Sequence, residues 1–172
     1  MGLRPFSCYR DIERPYTRKS KFKRKSFIKA VPEVRIVKFD MGDPKRKFPY
    51  VIYLKSKQDI QIRQNAIEAT RMYVNKKLES RLGSNYYFKI RIYPHHVLRE
   101  NKMLTGAGAD RMQTGMQLSF GKPVGLAAQV KKGQIIFSIA CEENAIPYVK
   151  EVLRAIFPKL PCKCSVEVEK LM

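Results

Sequence analysis

"SKQDIQIRQNAIEATRMYVNKKLESRLG", residues 56–83, decides the class of fold. Ile62, Ala66, Ile67, Thr70, Tyr73, Val74, Leu78 and Leu82 recur at the spacing that lines one face of an α-helix. Gly83 stands where such a helix stops, because glycine adopts the left-handed conformation of a C-terminal cap without strain. Ser56 followed by Asp59 reads as a capping box with Asp in place of Glu, so the helix is expected to open there. The opposite face carries Arg63, Arg71, Lys76, Lys77 and Arg81, which suit solvation and phosphate contact equally well.

Strands are expected on both sides of this helix. "EVRIVKF" (33–39) and "YVIYLKS" (50–56) are rich in β-branched and aromatic residues, and the turn between them carries a basic knob, Lys45-Arg46-Lys47. "YYFKIRIYP" (86–94) alternates, with Phe88, Ile90 and Ile92 on one face and Lys89, Arg91 and Tyr93 on the other. "VGLAAQVKKGQIIFSIAC" (124–141) reads as two strands joined in a hairpin by "KKG". "NAIPYVKEVLRAIF" (144–157) is a second helix, with Asn144 as its N-cap and Pro147 tolerated in the first turn. "CSVEVEK" (164–170) closes the chain, Cys164, Val166 and Val168 facing inward and Glu167 and Glu169 outward. The order β-β-α-β-loop-β-β-α-β contains no repeated βαβ unit. It predicts an α+β fold, two helices covering one face of a mostly antiparallel sheet.

Charge narrows the partners. The 172 residues hold 35 Lys and Arg against 15 Asp and Glu, a formal net charge of +20. Such an excess repels itself unless an anionic partner neutralises it, and nucleic acid is the usual one. Residues 1–30 carry ten Lys and Arg against two acids, interleaved with Phe6, Tyr9, Tyr16, Phe22 and Phe27. They read as a basic, extended N-terminal arm suited to threading through RNA, with residues 31–172 as a single RNA-binding domain. No apolar run can span a bilayer, and "MGLRPFSCYRD" lacks a signal core, so neither a membrane nor secretion is expected. The four cysteines, Cys8, Cys141, Cys162 and Cys164, read as reduced and cytoplasmic.

Enzyme readings fail on spacing. The neutral stretch 103–121 contains Gly106, Gly108, Gly115 and Gly121, yet "GAGADR" has Arg111 where a dinucleotide fingerprint needs its third glycine. No phosphate-binding G-x-x-x-x-G-K-[ST] is present, and Asp110 is the only acid between Glu100 and Glu142, so no carboxylate pair is available there. C-x-C at 162–164 has no second cysteine pair, and adjacent His95 and His96 on a strand would face opposite sides. No catalytic residue, metal, cofactor or small-molecule substrate is expected. What the loop does offer is glycine backbone able to approach another backbone, and adaptable apolar groups in Met103, Met112 and Met116.

"RPFSCYR" (4–10), "RPYTRKS" (14–20), "VLRENKMLTGAGADRMQTGM" (97–116) and "SFGKPVG" (119–125) together resemble the archaeal and eukaryotic L-ten-e ribosomal proteins and their bacterial L-sixteen counterpart. The likeness runs from Gly2 to about Val168. It implies a two-layer α/β sandwich of hammerhead type. It also implies a structural constituent of the large ribosomal subunit that joins late in assembly, contacts neighbouring ribosomal proteins and borders the A-site tRNA. By the same resemblance Arg4, Tyr9, Arg10, Tyr16, Lys19, His95, Arg99, Lys102 and Lys122 face ribosomal RNA. Arg18, Lys21, Lys23, Arg24, Lys25 and His96 stand beside those motif positions and are assigned with them. Met103, Gly106, Ala107, Gly108, Ala109, Asp110, Arg111 and Met112 would form a loop reaching toward the P-site tRNA and the peptidyl transferase centre. Gln117 and Gln129 depart from the pattern, each standing where a basic residue is expected. The competing reading is a free RNA-binding protein or RNA chaperone acting off the ribosome.

Overall fold

A computed structural model describes residues 4–12, 28, 30–101, 108 and 121–171. Among the described residues, eight strands and two helices follow in the order β1 (Asp40–Gly42), β2 (Tyr50–Ser56), β3 (Ile60–Arg63), α1 (Gln64–Leu82), β4 (Tyr87–Ile90), β5 (His96–Glu100), β6 (Lys122–Val130), β7 (Ile135–Cys141), α2 (Ile146–Ala155) and β8 (Cys164–Lys170). The fold is α+β, and its strands form two sheets. The large sheet runs β1-β4-β7-β2-β8 and the small one β3-β6-β5, with every pairing antiparallel.

One core joins both sheets to both helices. Ile52, Leu54, Phe88, Phe137 and Ile139 of the large sheet are fully buried with Ile62 and Ala128 of the small one. Ile67, Val74 and Leu78 of α1 and Val149 and Leu153 of α2 close over them. Phe88 and Phe137 meet edge to face, with centroids 5.4 Å apart. Each such side chain contributes roughly 1.5–3 kcal/mol by leaving water. The buried stripe of α1 follows the spacing read from the sequence, and Gly83 caps the helix with φ 59°, its N–H donating to the Glu79 carbonyl. Phe88, Ile90 and Ile92 are all buried, as their alternation predicts.

Several expectations are corrected. Helix α1 opens at Gln64, not at a Ser56–Asp59 capping box, and no side chain caps it. Ser56 instead ends β2, and Asp59 accepts the Lys132 N–H at 2.6 Å. Ile60 and Ile62 alternate with Gln61 and Arg63 as a strand, and burial of the two isoleucines against the core outweighs helix continuation. Residues 31–38 form no strand; pairing begins at Asp40, and Phe39 offers only its carbonyl to the Ile90 N–H. "KKG" is a turn but closes no hairpin, because β6 and β7 belong to different sheets. Asn144 lies in a 3-10 turn, Glu143–Ala145, and Ala145 takes the N-cap position, with proline in the first turn. Val168 is 38% exposed because β8 is an edge strand. Strand β5, in the polar "HHVLRE", was not expected at all.

Candidate nucleic-acid interface

The small sheet has two unlike faces. Ile60, Ile62, Ala128 and Val130 enter the core, so period-two alternation turns Gln61, Arg63, Ala127 and Gln129 the other way. Residues 4–12 dock there. Pro5 begins a tight 3-10 turn, Phe6–Tyr9, and Tyr9 packs on Leu98 and Ala127. The Tyr9 hydroxyl donates to the buried Glu100 carboxylate at the end of β5. Gln61 holds the segment three ways: its backbone N–H donates to the Arg10 carbonyl at 3.0 Å, and its side-chain amide to the carbonyls of Tyr9 at 3.2 Å and Asp11 at 2.8 Å. The edge of β3 is thereby covered. Gln129, across the ladder, donates to the Gln61 side-chain oxygen at 3.4 Å, so this glutamine steadies the one that anchors the segment. Ile28 packs with Val97 and Leu126, which alternate with the residues under Tyr9. Tyr9 and Ile28 therefore pack on opposite faces of the small sheet.

Cations gather at one end of this sheet. Arg4 donates to the Asn101 carbonyl at 3.2 Å, and Arg63 donates to the Arg4 carbonyl at 3.1 Å while lying over the Tyr9 ring at 5.1 Å. Arg10 lies over the Phe6 ring. Glu100 pairs in register with Lys122 and Arg99 with Pro123, so the chain leaves β5 and enters β6 at the same end. Gly121 makes that closure possible: its φ is +66°, and a Cβ there would lie 3.0 Å from the Glu100 carbonyl carbon. Ion pairs among the described residues are Arg46–Glu142, Lys55–Glu167, Lys89–Asp40 and Arg71–Glu68, all on the large sheet, its loops or α1. Among the described residues Arg4, Arg10, Arg63, Arg99 and Lys122 join none of these four pairs, and Glu100, paired in register with Lys122, is a buried acid that shares their end of the sheet.

His96 lies half-buried on β5. Burial lowers its pKa below the ordinary 6.5, and the charges of His95 and Arg99 add to the effect. The ring is therefore a neutral hydrogen-bonding and stacking group at physiological pH. His95 is exposed, and its Nδ1 lies 3.0 Å from the Tyr93 carbonyl.

The small sheet thus brings together Arg4, Tyr9, Arg10, His96, Arg99 and Lys122 of the residues expected to meet RNA. Gly108 is exposed, with φ +84°. Tyr16, Arg18, Lys19, Lys21, Lys23, Arg24, Lys25, Lys102, Met103, Gly106, Ala107, Ala109, Asp110, Arg111 and Met112 lie outside the described residues. On α1, Arg71 is committed to Glu68 at 2.6 Å and Arg81 to the Tyr148 ring at 4.3 Å. Sequence reasoning missed Gln61, Arg63 and Glu100 as organisers. The alternating "IQIR" was the available signal, obscured by the helix that follows.

An α+β scaffold with cations clustered at one end of its smaller sheet defines the class of protein. The model of the family described as ribosomal protein L16p/L10e matches residues 13–167. Three archaeal relatives bear the name large ribosomal subunit protein uL16. The one from Methanococcus maripaludis strain S2 is 48% identical over 171 residues, covering 99% of this chain and 96% of its own. That of Thermofilum pendens is 45% identical over 172 residues, covering 99% of each chain. That of Archaeoglobus fulgidus is 44% identical over 171 residues, covering 99% and 95%. The chain belongs to the ribosomal protein L16p/L10e family.

Proposed function

We propose that this protein is a structural, non-enzymatic constituent of the large ribosomal subunit in the cytoplasm, held there by large-subunit ribosomal RNA. The observation that carries the reading is near end-to-end similarity to proteins named for that subunit. The cation-rich end of the small sheet supports it, because clustered Lys and Arg side chains suit contact with phosphates. Arg4, Arg10, Arg99 and Lys122 contact the RNA backbone, with Tyr9 and His96 beside them. The basic run Arg18, Lys19, Lys21, Lys23, Arg24 and Lys25 acts with Tyr16 as an arm over residues 1–30, and residues 31–172 act as one domain. A hammerhead-type sandwich belongs to the same reading.

The loop 103–121 leaves the sheet between Asn101 and Lys122, so a base clamped on RNA would project its neutral tip, Gly106–Arg111, away from that anchor. This suits a tip lying beside A-site and P-site tRNA, where strong charge would trap it on ribosomal RNA. Entry late in subunit assembly, beside neighbouring ribosomal proteins, is part of the same proposal and rests on the family resemblance.

The test is sedimentation of the tagged chain through a density gradient. It should travel with the large subunit and be stripped by salt. On isolated subunit RNA, Arg99→Ala and Lys122→Ala should each reduce the log–log salt slope by roughly 0.7–0.9. A chain found mainly in the free fractions favours the RNA chaperone. Valine at Gly106 and Gly108 should impair tRNA binding and peptide-bond formation in reconstituted subunits; normal values remove the role given to the tip.

A further inference from the structure

Cys162 and Cys164 stand where the chain enters β8, and the proposed function makes no use of them. Their sulfurs are 3.5 Å apart, and both residues are buried in the main core. The surrounding backbone is fixed: Lys57 donates its N–H to the Lys163 carbonyl at 2.9 Å, and Cys164 pairs in register with Ser56. Only one residue separates the cysteines, so their closeness is built into the local chain. Cys141 is also buried, but it stands on β7 and forms no such thiol contact among the described residues.

We propose that Cys162 and Cys164 form a redox modification site, a dithiol that a peroxide converts into an intramolecular disulfide. Cys162 is the attacking sulfur. The two sulfurs are in hydrogen-bond contact, with the Cys162 carbonyl also 3.5 Å from the Cys164 sulfur, and the contact between the sulfurs, with a further one from Ser56, lowers the Cys162 pKa and favours its thiolate. The same contact, together with burial, raises the pKa of Cys164, which keeps its proton. The thiolate is the nucleophilic form. Its sulfur attacks one peroxide oxygen; an S–O bond forms, the O–O bond breaks, and the departing hydroxide takes a proton to become water. The Cys164 sulfur then attacks Cys162, forming the S–S bond and breaking S–O, and the released hydroxide leaves as water with the Cys164 proton. Two electrons pass from the two thiols to the peroxide, and the yield is one disulfide and two waters. The sulfurs need to close from 3.5 Å to about 2.0 Å. Burial limits the oxidant to something small, and peroxide meets that limit.

The full chain carries its own control. Burial pushes the Cys141 thiol up to about 11, so it is mostly protonated near neutrality and should react slowly. The folded protein is treated with hydrogen peroxide, quenched, unfolded in an alkylating reagent and digested. The peptide spanning 162–164 should lose two hydrogens, escape alkylation at both cysteines and regain both thiols with dithiothreitol. Its oxidation should outpace that of Cys141 by at least ~10-fold. In Cys164→Ser, dimedone should trap a sulfenic acid at Cys162; in Cys162→Ser, position 164 should give no adduct. Alkylation of Cys162 and Cys164 to the same extent as Cys141 after peroxide would overturn the proposal. So would oxygenated products without loss of two hydrogens. Both readings come from the unaltered chain and do not depend on the variants folding.

Discussion

Replacing Tyr9 with Phe isolates the bond that pins the N-terminal segment. The ring keeps its contacts with Leu98 and Ala127, and only the hydroxyl that donates to Glu100 is lost. A hydrogen bond to a charged group contributes roughly 1.5–3 kcal/mol, and at about 1.4 kcal/mol per decade this is a ~10–150-fold change in an equilibrium. The loss should fall on docking of residues 4–12, because both partners lie between that segment and the small sheet. The reporter is the Gln61 amide, whose hydrogen is bonded to the Arg10 carbonyl and is released when the segment lifts. Its hydrogen exchange should accelerate by the same ~10–150-fold, while amides of β2 and β7 in the large sheet keep their rates. A change below about threefold at Gln61, in a variant that is otherwise folded, would show that the hydroxyl does not hold the segment. The same variant should bind RNA more weakly, since Arg4 and Arg10 are positioned by that docking.

Gly42→Ala and Gly83→Ala both impose a side chain at positive φ, but a Cβ at Gly42 would lie 2.1 Å from the Tyr86 carbonyl oxygen while Gly83 has open space. Urea unfolding should show a cost of about 1–2 kcal/mol at Gly83 and clearly more at Gly42; equal costs would contradict the contact. His96 has a depressed folded pKa, so the stability of its neutral form is fully present above 6.5 and falls as pH drops through that value. His96→Gln should flatten stability between about pH 7 and 5, and the wild-type ring should titrate below 6.5 by NMR. Asp40 is held below its ordinary 3.8 chiefly by the Tyr87 hydroxyl, with Lys89 assisting. Tyr87→Phe should therefore raise the Asp40 midpoint measured by NMR; an unchanged midpoint would refute the role of that hydroxyl.

What could be read from the sequence is what local spacing controls. The stripe of α1, its stop at Gly83, the alternation through Phe88, Ile90 and Ile92 and the strand β2 depend on neighbours within a few residues. Strand β5 was hidden because "HHVLRE" is polar, yet Val97 and Leu98 serve opposite faces of the same sheet. The false hairpin has a similar origin, since a turn sequence fixes a reversal of the chain but not which partners the strands take. At the site, the abundance of cations was plain. Which of them share a surface was not, because Arg4, Arg63 and Lys122 meet through the pairing of β3, β6 and β5 and the docking of a segment some ninety positions away.

The turn between β6 and β7 also has a mechanical meaning. Strand β6 is the middle of the small sheet, and β7 is flanked by β4 and β2 in the large one. Tension on the loop at Gly121 would run along β6 and through Lys131–Gly133 into the interior of the large sheet. Peeling an edge strand opens hydrogen bonds one after another, whereas this load shears ladders on both sides of each strand together. The stretch 122–141 acts as a shared beam, and a tug at the loop would be borne by the whole domain.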